Sequence, residues 1–315
     1  MKFGVLTFGY NGFSSFKNGL DEFGYYDVNL GDNSQSIAVR RLYKIIGIDN
    51  SDIIEVNRDE ISCYEGEKTI LLMNGVFFKE SFPIPESIIP IFIGFHATKK
   101  IICEQKDFLQ QYAPIGCRDE GTTANMRELG IDAFTTGCLT LTLPRRMVEP
   151  PSPKLLIVYG SGAGYLPPEA LRHVPRDLLA NAEFIYHRLP AVRFPFDAEL
   201  RRQAERYESA LMARYRREAT LVLTSLHHVA TPCMAFGIPV VICRGRNDIR
   251  FSMIEKLLPI HVPGSFDSIE WKPRPVNVDD IRDELTRLVR DRIYIALGGA
   301  RGAWHASFSM FVDTE

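Results

Sequence analysis

The stretch Glu218–Val241, EATLVLTSLHHVATPCMAFGIPVV, constrains the fold more than any other part of the chain. Leu221, Val222 and Leu223 make an apolar run of the length of a buried strand. Thr224 and Ser225 are residue types that cap helix N-termini, and His227 and His228 follow at the start of the next helix. Gly237 closes that helix as a left-handed residue does, and Ile238–Ile242 resumes an apolar strand. A strand–helix–strand unit of this kind belongs to a parallel sheet. It sets polar and imidazole groups where a strand ends and a helix begins, and α/β sheets bind ligands there because free backbone N–H groups and the helix dipole favour anions. By itself the segment reads equally well as an ordinary βαβ unit with two partly buried histidines, since a fold does not fix a function.

A chain of 315 residues is long enough for two domains of ordinary size. Its 45% apolar and 24% charged residues are those of a soluble globular enzyme. A formal net charge of −2 argues against a nucleic-acid surface and leaves room for a local basic pocket. Cysteines stand alone at 63, 103, 117, 138, 233 and 243, with no C-x-x-C pair. They indicate neither a zinc site nor a disulfide framework, and reduced thiols in the cytosol are expected. The N-terminus MKFGVLTFGY lacks the features of a signal peptide, and no apolar run approaches the roughly 18 residues of a membrane span. The expectation is a cytoplasmic protein, with peripheral membrane contact left open.

Pro144 and then Pro150, Pro151 and Pro153 make a stiff break that neither a helix nor a central strand tolerates. The expected division is a Rossmann-like domain over 1–147, a second over 154–276, and a C-terminal helix and tail over 277–315 that cross back to the first. The first half reads as a strand at Lys2–Thr7, a loop to NLGD, a helix at Asn33–Ile46, and strands at Ile53–Val56, Thr69–Met73, Ile91–Gly94 and Pro114–Cys117, with a helix at Glu120–Leu129. The second reads as strands at Leu155–Tyr159 and Glu183–Tyr186, and a helix at Asp197–Arg217 with Leu200, Ala204, Tyr207, Leu211 and Tyr215 on its apolar side. The TSLHH unit follows, then helices at Ile249–Leu258 and from Val278 to about Leu297. The alternation gives an α/β fold of two doubly wound Rossmann-like domains facing a cleft, where a transferase holds donor and acceptor.

The polar groups expected to carry chemistry fall at strand-to-helix turns. In Asn29–Gln35, Gly31 allows close backbone approach, and Asp32 either caps the helix or accepts a proton from a sugar hydroxyl. In Gly116–Thr123, Arg118 can clamp a carboxylate or phosphate, with Asp119 pinning it or capping the helix. Gly160–Gly164, GSGAG, lacks the third glycine of a dinucleotide fingerprint and reads as a flexible turn. His227 and His228 suit acid–base work. No metal ligand set stands out, because adjacent helical residues point apart.

NLGD-NSQ near the start, GCRDEGTTANMRELGI and TGCLTLTLP in the middle and LVLTSLHHVATPCMAFGIPVV late resemble, in order and spacing, the polysaccharide pyruvyl transferase family over about residues 1–260. The resemblance implies a two-domain glycosyltransferase-B-like fold and transfer of pyruvate from phosphoenolpyruvate to a sugar hydroxyl, usually as a ketal. It implies acceptors in exopolysaccharide, capsule or cell-wall biosynthesis, or their lipid-linked precursors at the membrane, with phosphoenolpyruvate as co-substrate and no other cofactor. Arg118 matches the arginine of the family's R-D-x-x-(S/T) segment and His228 the histidine of its T-S-R-L-H motif. Here that motif reads Thr224-Ser225-Leu226-His227-His228, so Leu226 stands where the family arginine holds the donor. Arg244, Arg246 or Arg250 are the expected substitutes. The assignment is then His228, Asp32 and Arg118 for catalysis, Thr224, Ser225, His227 and Arg244 for the donor, and Gly31, Asn33 and Gln35 for the acceptor. The alternatives are a glycosyltransferase using a nucleotide sugar bound near Gly160–Gly164, or a catalytically degenerate member of the family.

Overall fold

A computed structural model describes residues 1–10 and 12–298; the expected tail beyond them lies outside the described residues. The first half runs β1 (Lys2–Thr7), α1 (Ser14–Phe23), β2 (Tyr26–Asn29), α2 (Gly31–Ile45), β3 (Ile53–Asn57), β4 (Thr69–Leu72), β5 (Gly75–Val76), β6 (Ile88–Ile91) and β7 (Phe95–His96). It continues through α3 (Lys99–Glu104), α4 (Lys106–Gln111), β8 (Ile115–Cys117), α5 (Glu120–Glu128) and β9 (Ala133–Thr135). The second half runs β10 (Leu155–Tyr159), α6 (Pro168–Leu171), α7 (Arg176–Ala180), β11 (Ala182–Tyr186), β12 (Arg188–Ala191), α8 (Ala198–Glu218), β13 (Leu221–Thr224) and α9 (His227–Ala235). It ends with β14 (Val240–Cys243), α10 (Ser252–Glu255), β15 (Ile260–His261) and α11 (Asp279–Ala296).

Three sheets are parallel: β3-β1-β4-β6, β5-β7-β8-β9 and β11-β10-β13-β14-β15. This is a mixed α/β architecture of Rossmann-like character. In the third sheet the chain leaves β10 for β11 on one side and later occupies β13 on the other, which opens a crevice beyond the carboxyl ends of β10 and β13. The fourth sheet is an antiparallel ribbon of β2 with β12, in which Asn29 faces Arg188. It stitches the two halves together. The region read as a loop before NLGD holds α1 and β2 instead. All residues of α1 keep some exposure, and it packs through Phe16 on Tyr26, so its apolar stripe is too partial to stand out.

Alternation along β10 explains how the halves join. Leu155 and Ile157 belong to one hydrophobic cluster on the outer face of the sheet. Leu156 and Val158 belong to another that continues through Val5, Leu42 and Phe92 of the first half. Arg282 on α11 donates to the carbonyls of Leu143 and Ala235, one in each half, and Arg292 donates to that of Pro114. Among the described residues no helix is long and apolar enough to cross a membrane.

Helix α8 corrects the expected apolar stripe. Leu200, Ala204, Glu208, Leu211, Met212 and Tyr215 are buried, and Tyr207 is exposed. A carboxylic acid therefore occupies a core position of this helix.

Candidate functional site

Residues just beyond the carboxyl ends of β8, β10, β13 and β14, with the end of β2 and the start of α2, enclose a cavity of about 140 Å³. Asn29, Asp32, Val76 and Arg118 line it from the first half; Gly164, His187, Arg188, Leu226, His227, His228, Arg244, Arg250 and Phe251 line it from the second.

Arg118 is 2% exposed, and its Nε and Nη1 have no hydrogen-bond partner. Its neighbour Asp119 caps α5, accepting from the Thr122 N–H at 2.9 Å, and contacts His96 Nδ1 at 2.6 Å. Asp119 therefore does not pin the arginine. Burial pulls the guanidinium below its ordinary value, against the opposing pull of Cys138 and Asp119. A buried cation with idle donors is costly unless an anion, such as a carboxylate or phosphate, completes it.

Arg188 reaches the cavity from the ribbon. Its Nε is buried and unpartnered, and its Nη2 makes only a 3.4 Å contact with the Ser161 carbonyl. Arg244 is committed to the protein: it donates to the Ser225 carbonyl, pairs with Asp248 at 3.2 Å and lies 4.2 Å over the Phe251 ring. Arg250 is held by Asp248, its Nε 2.9 Å from Oδ1. Burial raises the Asp248 carboxyl, but the Arg250 hydrogen bond and both arginine charges win, bringing it to about 2. Of the substitutes expected for the missing motif arginine, Arg244 and Arg250 line the cavity and Arg246 is exposed. The sequence reading missed Arg188, which stands beside Leu226: a methyl group built on Gly160 would meet both side chains within 3.3 Å.

His227 and His228 face the same space, with ring centroids 5.0 Å apart. The rings do not diverge as expected, although both residues belong to the first turn of α9. Both imidazoles keep some surface on the cavity, whose walls are protein. Burial pushes each well below its usual value, and Arg118 and Arg250 push further in the same direction. They are neutral near pH 7. Cys138 joins them, with ligand-type atoms of all three within 4.8 Å of one another, a grouping the sequence did not reveal. Cys and His are metal ligands in kind. The positive field that depresses both histidines, however, opposes a divalent cation and suits an anion.

Other expected residues take different places. The α2 helix starts at Gly31 with Leu30 as N-cap, so Asp32 lies in the first turn and does not cap. Asp32 lines the cavity, accepting from the Tyr10 hydroxyl at 2.8 Å and from Asn29 Nδ2 at 3.0 Å. Tyr10 is itself in the left-handed region, φ +55°, tied by its N–H to Asp59 at 2.8 Å. Arg58, stacked on Phe8, Tyr10 and Phe78, stands 4.0 Å from Asp32. Thr224 and Ser225, expected at the donor, are fully buried and donate to the carbonyls of Val158 and Gly164. Neither lines the cavity, and neither is the N-cap of α9. Gly31, Asn33 and Gln35, expected at the acceptor, also lie behind the wall. Gly31 is pressed against His228, Asn33 donates to the Leu30 carbonyl at 3.2 Å, and Gln35 packs against Gly75.

Glu208 was also missed. Fully buried, it accepts from the Ser34 hydroxyl on α2 and lies 2.7 Å from His187 Nε2. Its signal was present in the sequence: position 208 falls on the apolar stripe of α8, four residues after Ala204 and three before Leu211.

Residues 93–247 match the profile of the family described as polysaccharide pyruvyl transferase. No curated protein matches the chain. Among solved structures, an uncharacterised protein from Klebsiella pneumoniae subsp. pneumoniae NTUH-K2044 is similar at 12% identity and a TM-score of 0.43, covering 80% of this chain and 88% of its own. The matched segment carries Arg118, Cys138, the His187–Arg188 pair, Glu208, the whole TSLHH unit and Arg244. The family matched over residues 93–247 is an enzyme family of transferases.

Proposed function

We propose that the cavity binds phosphoenolpyruvate and that the chain transfers its pyruvyl group to a sugar hydroxyl of a polysaccharide or precursor, closing a ketal. The observation that carries this reading is Arg118, a buried guanidinium with idle donors on the wall of a small cavity. Phosphoenolpyruvate presents a carboxylate at one end and a phosphate at the other. Arg118 and Arg188 offer unsatisfied N–H groups from the two halves of the chain, and Arg250 adds positive charge. Arg188 takes over the role that Leu226 vacates. In this reading residues 1–147 and 154–276 act as acceptor and donor domains of a glycosyltransferase-B-like pair.

In the reaction a proton is added to the methylene carbon as a sugar oxygen bonds to C2 and its O–H bond breaks, releasing that proton. Phosphate then leaves with the C2–O electron pair, and a second hydroxyl closes the ketal while its proton leaves with phosphate. His228 is the group we assign to the methylene proton. It is neutral in the empty site, and an anionic donor supplies the charge that draws a proton onto it. Asp32, fixed by Tyr10 and Asn29, orients the acceptor hydroxyl. A nucleotide-sugar donor fits less well. The cavity of about 140 Å³ is small beside ordinary ligand pockets of roughly 300–1,000 Å³. The Leu226 side chain also packs against Gly164, where a nucleotide was expected.

The test is calorimetric titration of phosphoenolpyruvate into the wild type and Arg118→Gln, with a uridine diphosphate sugar in parallel. The expected result is saturable phosphoenolpyruvate binding weakened roughly 10- to 100-fold in the variant, as for loss of hydrogen bonds to a charged group. Binding of the nucleotide sugar alone would overturn the reading.

A further inference from the structure

The donor reading leaves His187 without a role. His187 is 1% exposed and lines the cavity at the turn between β11 and β12. Its Nε2 lies 2.7 Å from Glu208 Oε2 on α8, at an angle that does not make a hydrogen bond. The other Glu208 oxygen accepts from Ser34 on α2. A carboxyl group at 0% exposure on the core face of a helix is costly unless it serves a partner. Its partners here are a hydroxyl from one half of the chain and an imidazole from the other. The groups facing His187 are Glu208 and the Tyr215 ring on α8, the latter at 6.4 Å, Arg188 beside it in sequence, and His228 across the cavity. With Nε2 against Glu208, Nδ1 is the ring nitrogen left for a ligand. The buried carboxylate thus stands against one ring nitrogen and leaves the other to act, the arrangement in which an acidic neighbour supports a base.

Resting on the pyruvyl-transfer reading, we propose that His187 accepts the proton of the acceptor hydroxyl and that Glu208 positions it. As the hydroxyl oxygen bonds to C2 of phosphoenolpyruvate, its O–H bond breaks and the proton passes to His187 Nδ1. The C2=C3 electron pair takes a proton from His228 at C3. The proton held on His187 then leaves to solvent, and that of the second hydroxyl leaves with phosphate. The site thus has a proton donor and a proton acceptor on different elements, and Asp32 orients the hydroxyl without receiving its proton.

The test measures phosphoenolpyruvate binding by calorimetry and phosphate release from it in the presence of a panel of methyl glycosides. It compares the wild type with His187→Gln, His187→Ala and Glu208→Gln. His187→Gln should lower kcat about 10²- to 10⁴-fold and change the donor Kd by less than about threefold. Free imidazole should restore part of the His187→Ala rate, and Glu208→Gln should displace the pH–rate profile. If Glu208→Gln fails to fold, the imidazole rescue decides. A His187→Gln enzyme with near wild-type kcat and an unchanged pH profile overturns the assignment, and so does absence of rescue. A wild type that neither binds phosphoenolpyruvate nor releases phosphate overturns the donor reading and the step assigned to His187 with it. Wild-type turnover that survives His187→Gln overturns the His187 assignment alone.

Discussion

Arg118, His227 and His228 form one electrostatic unit. The arginine is buried without hydrogen bonds on two of its nitrogens, and its charge helps to hold the histidines neutral. The cost is visible in the pH dependence of stability. In the unfolded chain each histidine takes a proton below about pH 6.5, whereas in the folded chain neither does until much lower pH. The unfolded state then binds more protons, so stability is fully present above the unfolded value and is lost as pH falls below it. Each histidine contributes a slope of about 1.4 kcal/mol per pH unit. Urea unfolding between about pH 7.5 and about pH 5.5 should show this loss, and a His227→Gln, His228→Gln double variant should flatten it. An equally steep decline in the double variant would mean that the histidines are not held neutral. The sequence made these three residues candidates through their types and their places at strand ends. It did not give their convergence with Arg188 and Glu208, which depends on pairings between residues more than a hundred positions apart, such as Arg188 with Asn29 and Ser34 with Glu208.

Two helix starts meet at the cavity, those of α2 and α9. Gly31, the first residue of α2, is the closest point: a methyl group built there would lie 2.4 Å from His228 Cβ. Neither backbone can give way without moving a cavity group. Gly31→Ala should cost about 1–3 kcal/mol, as overpacking does, and should weaken donor binding by shifting His228. Thermal unfolding beside calorimetry checks both, and a variant as stable and as tight as the wild type would contradict the packing. Apolar periodicity marked α2 and α8, and the glycine stops after α5 and α9 marked those helices between their strands. It missed α1, whose aromatic residues are only partly covered, and β2, a strand of four residues. It also misread Thr224 and Ser225, whose hydroxyls turn to the neighbouring backbone at Val158 and Gly164 instead of capping α9.

At the scale of the molecule, the β2–β12 ribbon and a hydrophobic cluster shared by both halves fix the cavity walls against each other. Neither half contains the site alone: Arg118 and Asp32 come from one, and His187, Arg188 and His228 from the other. The alternating strands and helices made the α/β class legible. The cavity was not legible as a whole, because its chemistry is assembled across the seam. The most direct test of that assembly is a structure determined with phosphoenolpyruvate bound. The account predicts that the donor lies between the two halves, with Arg118 and Arg188 nitrogens about 2.7–3.2 Å from its carboxylate and phosphate oxygens. A donor held elsewhere, or held without either arginine at saturating concentration, would contradict it.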